Sequence, residues 1–115
     1  MKKTLTITAL FLSATAFQFC NSSKKAAAAA APPTFNKNVM PIMQTSCTPC
    51  HFPPDGRKLP LNTLAAVREN IDHVLERVKL PKEDRRFMPM MNKKPALTAE
   101  QITLLEQWKD AGMPE

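Results

Sequence analysis

Cys47-Thr48-Pro49-Cys50-His51 is the stretch on which the chain turns. Its pattern is C-x-x-C-H, the spacing of covalent c-type haem attachment. Residues three and four apart share one face of a helical turn. Cys47, Cys50 and His51 can therefore present two sulfurs and an imidazole to one side, with Thr48 and Pro49 facing away. Such a face suits a porphyrin, whose edge the sulfurs bond as thioethers while the imidazole reaches the iron. Three other readings compete with it: a thioredoxin-like dithiol, half of a zinc site, and a chance match.

The surroundings of the motif bear on that choice. A zinc site needs about four ligands, and outside the motif the chain offers only His73 and the distant Cys20 as further soft donors. A thioredoxin-like pair follows a strand in a βαβ unit, whereas the sequence before Cys47 reads as a helix. Thr34 stands at an N-cap position, and Phe35, Val39, Ile42 and Met43 form one apolar stripe behind it. Pro41 inside that stripe predicts a kink or a break into two short pieces. Met40 and Met43 read as core methionines.

At 115 residues the chain has room for one domain. With 43% hydrophobic and 23% charged residues it is not a disordered polymer. Glycine is scarce (2), proline frequent (11) and tyrosine absent. No segment alternates apolar and polar residues as a strand does, so the expected class is all-α. The 16 basic and 10 acidic residues give a formal charge of +6. Without Lys2 and Lys3 the balance is 14 to 10, or +4. No basic run is interleaved with aromatic residues, which argues against a nucleic-acid partner. The positive balance fits a face that docks an acidic partner, and equally an ordinary solvated surface.

Residues 1–20 read as an export signal, with Lys2 and Lys3 followed by the uncharged, mostly apolar run Leu5 to Phe19. That run is shorter than the roughly 20 apolar residues of a membrane span. Ala14-Thr15-Ala16 fits ordinary signal cleavage. Phe17-Gln18-Phe19-Cys20 instead resembles a lipoprotein signal, in which Cys20 becomes the lipidated first residue. It departs from the usual pattern at Phe17 and Phe19, yet the polar Asn21-Ser22-Ser23-Lys24-Lys25 makes a typical tether, and lipidation would account for the odd cysteine. Residues 21–33, with six consecutive alanines and then two prolines, read as a flexible linker. The folded part is expected over 34–115. At about 80 residues a hydrophobic core alone is marginal, and natural domains of that size usually carry a staple. A covalent haem would be one.

After His51, Phe52-Pro53-Pro54-Asp55-Gly56 is a hard stop and turn. A second helical region spans Leu61 to Leu80, with Leu64, Val67, Ile71, Val74, Leu75 and Val78 on one side. Asn62 or Thr63 caps it, Asn70 divides it in two, and Pro81 follows its end. Residues 81–97 are polar and punctuated by proline. Thr98-Ala99-Glu100-Gln101 is a capping box. It opens a last helix that carries Ile102, Leu105, Trp108 and Ala111 and ends at Gly112.

Met88 precedes a proline, which biases it to an extended backbone in a loop. A thioether held there can be aimed into a cleft. In order, the chain has a helix, C-x-x-C-H, a proline-rich loop, leucine-rich helices, Met-Pro, and Leu-Thr-Ala-Glu-Gln running on to Trp and Ala-Gly. This order resembles a small mono-haem cytochrome c domain of the exported bacterial type, broadly class I, over about residues 34–114. The resemblance implies three to five helices around one covalent haem c, attached at Cys47 and Cys50. It further implies that His51 is the proximal iron ligand, Met88 the distal one, and Trp108 a core aromatic of the terminal helix. Met90 and Met91 depart from the family, which often has proline and small residues there. Met90, Met91 and His73 thus stand as alternative sixth ligands. Arg57, Arg77, Arg85 and Arg86 are candidates to pair with the haem carboxylates.

The expected function is single-electron transfer between redox partner proteins outside the cytoplasmic membrane, without catalysis of its own. Periplasm or cell envelope is the expected location, with a lipid anchor at Cys20 keeping the domain near membrane-bound partners. The rival is a haem enzyme of peroxidase type, or a haem-based sensor, with an open sixth site. His73 would be its acid-base residue, but no catalytic constellation surrounds it.

Overall fold

The computed structural model describes residues 31–115, so the expected export signal, Cys20 and the expected linker up to residue 30 lie outside the described residues. Three α-helices carry the described part: α1 (Met40–Ser46), α2 (Leu64–Val78) and α3 (Ala99–Asp110). A π-helical turn at Phe35–Val39 leads into α1, and a 3-10 turn at Met90–Asn92 lies between α2 and α3. No strand occurs among the described residues, in keeping with the all-α expectation.

Pro41 explains the first of these turns. A proline ring in a continuous α-helix clashes with the carbonyl four residues back. Here the chain widens before it: the Val39 N–H reaches five residues back to the Thr34 carbonyl (3.3 Å), and α1 begins at Met40 with Pro41 in its first turn. The expected break is therefore a π turn. Thr34 departs from its expected role. It sits at the cap position with an extended backbone, but its hydroxyl makes no capping bond. Instead the Asn38 side chain accepts the Thr34 N–H at 2.9 Å, which is the reciprocal half of a capping box.

In α2 the Thr63 hydroxyl accepts the Ala66 N–H (3.2 Å), and Val67, Ile71, Val74, Leu75 and Val78 are buried. Asn70 does not divide the helix. Its side-chain amide donates to the Ala66 carbonyl at 2.8 Å, so the polar group is satisfied along the helix without opening it.

Helix α3 has both bonds of its capping box, Gln101 N–H to Thr98 Oγ1 (3.2 Å) and Thr98 N–H to Gln101 Oε1 (2.9 Å). Leu105 and Trp108 are fully buried and Ile102 partly so, whereas Ala111 is exposed. Ala111 lies past the last helical residue, where the apolar register no longer applies. Gly112 takes the left-handed conformation (φ 82°), and the N–H groups of Gly112 and Met113 turn back to the carbonyls of Lys109 and Trp108. That is a complete Schellman ending.

Both ends of the domain meet at one carbonyl. Pro114 O accepts the Phe35 N–H (3.0 Å) and the Trp108 Nε1–H (2.8 Å). The Phe35 and Trp108 rings pack with centroids 5.9 Å apart. Arg68 adds two bonds to the Met113 carbonyl, from Nε at 3.0 Å and Nη2 at 2.6 Å. Lys79–Glu106 and Lys109–Asp72 pair across α2 and α3 at the surface. Helix α3 thus clamps the first turn and α2, and leaves the motif after α1 facing the end of α2. Trp108→Ala should lower stability by about 3–5 kcal/mol, the usual range for emptying a buried aromatic site. Urea unfolding of the mature protein checks this, and a loss under ~1 kcal/mol would show that Trp108 is not the centre of the clamp.

Candidate functional site

The C-x-x-C-H stretch continues from α1. The Cys47 N–H donates to the Met43 carbonyl (2.9 Å), and the His51 N–H donates to the Cys47 carbonyl (3.0 Å). The second bond spans four residues, so the motif is one helical turn, as its spacing predicts. The Thr48 hydroxyl bonds back to the Gln44 carbonyl at 2.7 Å.

Residues 52–61 fold back over this turn. Gly56 N–H donates to Phe52 O (2.9 Å), Lys58 N–H to Cys50 O (3.2 Å) and Leu61 N–H to His51 O (2.9 Å). Gly56 comes so close that a Cβ on it would lie 2.3 Å from the carbonyl oxygens of both Pro49 and Cys50. Only a residue without a side chain permits that approach. The wrapped loop carries the Leu59 carbonyl to His51 Nδ1 at 2.7 Å. A carbonyl can only accept, so Nδ1 is the donor in this bond, and in the neutral ring Nε2 then keeps its lone pair. An imidazole fixed through one nitrogen by a backbone carbonyl, with the other free, is the usual state of a metal-ligating histidine.

The facing wall comes from the end of α2 and the loop after it. The Met88 N–H donates to the Arg77 carbonyl (3.2 Å), tying Met88 to the last turn of α2. Met88 is half-buried and packs on the core beside buried Phe87 and Pro89. Between the walls lie two cavities, of about 310 Å³ and about 460 Å³. Cys47, His51, Val78 and Met88 line both. Each volume falls in the ~300–1,000 Å³ range of small-molecule sites.

Among the candidate sixth ligands the placements differ. Met88 borders both cavities, Met90 only the smaller, His73 only the larger, and Met91 neither. Met91 is 78% exposed and, with Asn92, has a left-handed backbone that carries it outward. The His73 side chain is 65% exposed, with Nδ1 3.7 Å from Glu76 Oε2. Thr48 and Pro49 do not face away from the site; both line the smaller cavity, because the turn stands at its mouth. Of the four arginines, Arg77 and Arg86 line the larger cavity, and Arg57 and Arg85 line neither of the two. Three lysines not singled out by sequence, Lys58, Lys93 and Lys94, line the smaller one. They sit in loops without periodicity, so no pattern marks them.

Cys47 and Cys50 are free thiols. Burial pushes the Cys47 thiol up to about 11, and its sulfur lies 3.7 Å from Met43 Sδ. A dithiol oxidoreductase relies on a thiol whose pKa is lowered towards ambient pH. Cys47 is shifted the opposite way. Among the described residues no three His, Cys, Asp or Glu side chains converge as a metal-binding group. The donors at the cleft are the His51 imidazole, the exposed His73 at the larger cavity, and the thioethers of Met88 and Met90, beside two attachable sulfurs.

No protein-family model matches the chain, and no curated protein or solved structure does either. The site therefore rests on its own geometry. Gly56→Ala should force the 52–61 loop off the motif and cost about 1–3 kcal/mol, the range for inserting a methyl group into a filled space. Thermal unfolding checks it; an unchanged midpoint would mean that the loop does not clasp Cys50 as described.

Proposed function

We propose that residues 34–115 form a cytochrome c-like domain with one covalent haem c, and that the protein carries single electrons between redox partners outside the cytoplasmic membrane. The observation that supports this most is the state of His51. Its Nδ1–H is held by the Leu59 carbonyl, and Nε2 remains as a donor in a cleft that Cys47, Cys50 and Met88 also line. Haem held there would supply a one-electron Fe(III)/Fe(II) couple.

Each residue has a part to perform. Cys47 and Cys50 would provide the sulfurs of two thioether bonds, each formed by adding a thiol S–H across a vinyl group, so that no proton or leaving group is left over. His51 provides the proximal nitrogen, oriented by the loop. Met88 provides the thioether of the second axial ligand, held by its bond to the last turn of α2. Val78, Leu97 and Pro89 wall the cleft with apolar surface, and a dry surrounding of that kind tunes a redox centre. Held by His51 and Met88, such a group would exchange single electrons without needing to bind a substrate. The cationic mouth formed by Lys58, Lys93 and Lys94 is where an acidic redox partner would meet the cleft. Among the described residues no helix is long and apolar enough to cross a membrane. Attachment would come from lipidated Cys20, in the cell envelope.

Expressed in a host with working cytochrome c maturation, the protein should gain the mass of one haem. Met88→Ala should then abolish the near-infrared methionine-to-iron band and lower the reduction potential. An unmodified intact mass sinks the proposal, and loss of the band in Met90→Ala instead moves the ligand to Met90. Separately, Cys20→Ser should shift the protein from the membrane to the soluble fraction, and unchanged fractionation would exclude the lipid anchor.

A further inference from the structure

The chain leaves α2 after Val78 and returns to it at Met88, whose N–H donates to the Arg77 carbonyl at 3.2 Å. One hydrogen bond leaves such a loop free to swing about it. A second tie comes from Arg86, whose Nη1 lies 3.7 Å from Oε1 of Glu76, the residue before Arg77. An exposed ion pair of that length is weak by itself, because a long side chain must be held still to make it. Asp84 holds it still. Its Oδ1 accepts the Arg86 backbone N–H (2.8 Å) and Nε–H (3.2 Å), and its Oδ2 accepts Nη2–H (3.1 Å). The two side-chain bonds form the fork that matches a guanidinium to a carboxylate. Together the bonds from Arg86 keep the Asp84 carboxyl below its ordinary range. Backbone turns frame the same residue: Asp84 N–H donates to Pro81 O and Phe87 N–H to Asp84 O, both at 2.9 Å, and the Phe87 side chain is buried.

Residues 84–88 are thus held to α2 twice. The Arg86 side chain, locked by Asp84, reaches Glu76, and two residues later the Met88 backbone reaches Arg77. We infer that Asp84 is a positioning residue for Met88, acting through Arg86 to keep the loop on the last turn of α2 and the Met88 thioether at the cleft. That role towards an iron ligand rests on the proposed function, whereas the latch itself is a property of the loop. Asp84 touches neither cavity. Its effect on the cleft passes through the chain, from a carboxylate to a guanidinium, from there to a helix terminus, and so to the residue that lines both cavities.

The test uses the mature protein, made in a host with cytochrome c maturation, in four forms: unaltered, Asp84→Ala, Asp84→Asn and Asp72→Ala. Asp72 is the control, an exposed α2 carboxylate whose pair with Lys109 lies away from the loop. Amide hydrogen exchange is read at Phe87 and Met88, whose N–H groups bond backbone carbonyls and not the Asp84 side chain. In Asp84→Ala both should lose protection by about tenfold or more, the equivalent of one charge-assisted bond. Leu105 and Trp108 in α3 should keep theirs, which a general loss of stability would not allow. Asp84→Asn retains an oxygen for the Arg86 N–H and should lose less, and Asp72→Ala should leave Phe87 and Met88 unchanged. In the haem-loaded protein, added imidazole should displace Met88 at a lower concentration in Asp84→Ala, because the loop is open for a larger share of the time. Unchanged protection at Met88 in Asp84→Ala overturns the inference, as does an equal loss at Leu105 and Trp108 or the same imidazole response in Asp72→Ala. If the unaltered protein carries no haem, the proposed function fails, and exchange at Met88 alone decides whether Asp84 holds the loop.

Discussion

The hydrogen bond from His51 Nδ1 to the Leu59 carbonyl is the constraint on which the site depends. A neutral bond of this kind contributes only about 0.5–1.5 kcal/mol, so its importance is orientation. It fixes Nδ1 as the donor, and so in the neutral ring leaves Nε2 as the nitrogen with a lone pair. It can form only because the chain reverses within a few residues of His51, and the reversal needs Gly56 against the carbonyls of Pro49 and Cys50. Leu61 N–H on the His51 carbonyl pins the far end of the same loop. One side chain's direction is thus set by backbone groups, which do not have rotamers to lose.

The opposite wall is built on the same plan. Met88 lies in a loop, yet its N–H is tied to the Arg77 carbonyl at the end of α2. A loop residue fixed to a helix terminus inherits the helix's position. Helix α2 is in turn packed against α3 through a buried face, and α3 holds the chain ends together through the Pro114 carbonyl. The two walls are connected through the core and not merely through the cleft between them. A domain of about 80 residues has little core to spare, so a cleft of this size is a weakness unless something fills it. On the proposed function the haem would do so, as a covalent staple.

Much of the architecture was legible in the chain because it follows from periodicity and capping. The apolar stripe of α2, the Thr98–Gln101 box and the Gly112 ending depend on residues within one or two turns of each other. The helical turn of C-x-x-C-H was legible for the same reason. Errors arose where a local rule met a local competitor. Thr34 holds the cap position without a bond from its hydroxyl, its own N–H being taken by the Asn38 side chain, and Asn70 found a carbonyl within α2 in place of breaking it. What could not be read were the partners contributed by backbone or by aperiodic loops. The Leu59 carbonyl has no side-chain signature, and nothing in the spacing of Lys58, Lys93 and Lys94 reveals that they meet at one mouth. In sequence Met88 is set apart only by the proline that follows it; its bond to Arg77 and its place in both cavities are what separate it from Met90 and Met91.

Charge is where the structure adds most to composition. A balance of +4 after residue 20 could describe an even surface or a face, and counting cannot distinguish them. Pairing does. Lys79 and Lys109 are matched across α2 and α3, and Arg86 is matched by Asp84 and Glu76. No such pair forms at Lys58, Lys93 or Lys94 among the described residues, and all three border one cavity. Exposed charges that are paired contribute little field at a distance, whereas unpaired like charges around an apolar opening add. Lys58, Lys93 and Lys94 thus gather, unpaired among the described residues, around the cavity that Cys50 lines, while the half-buried Arg77 lines the other.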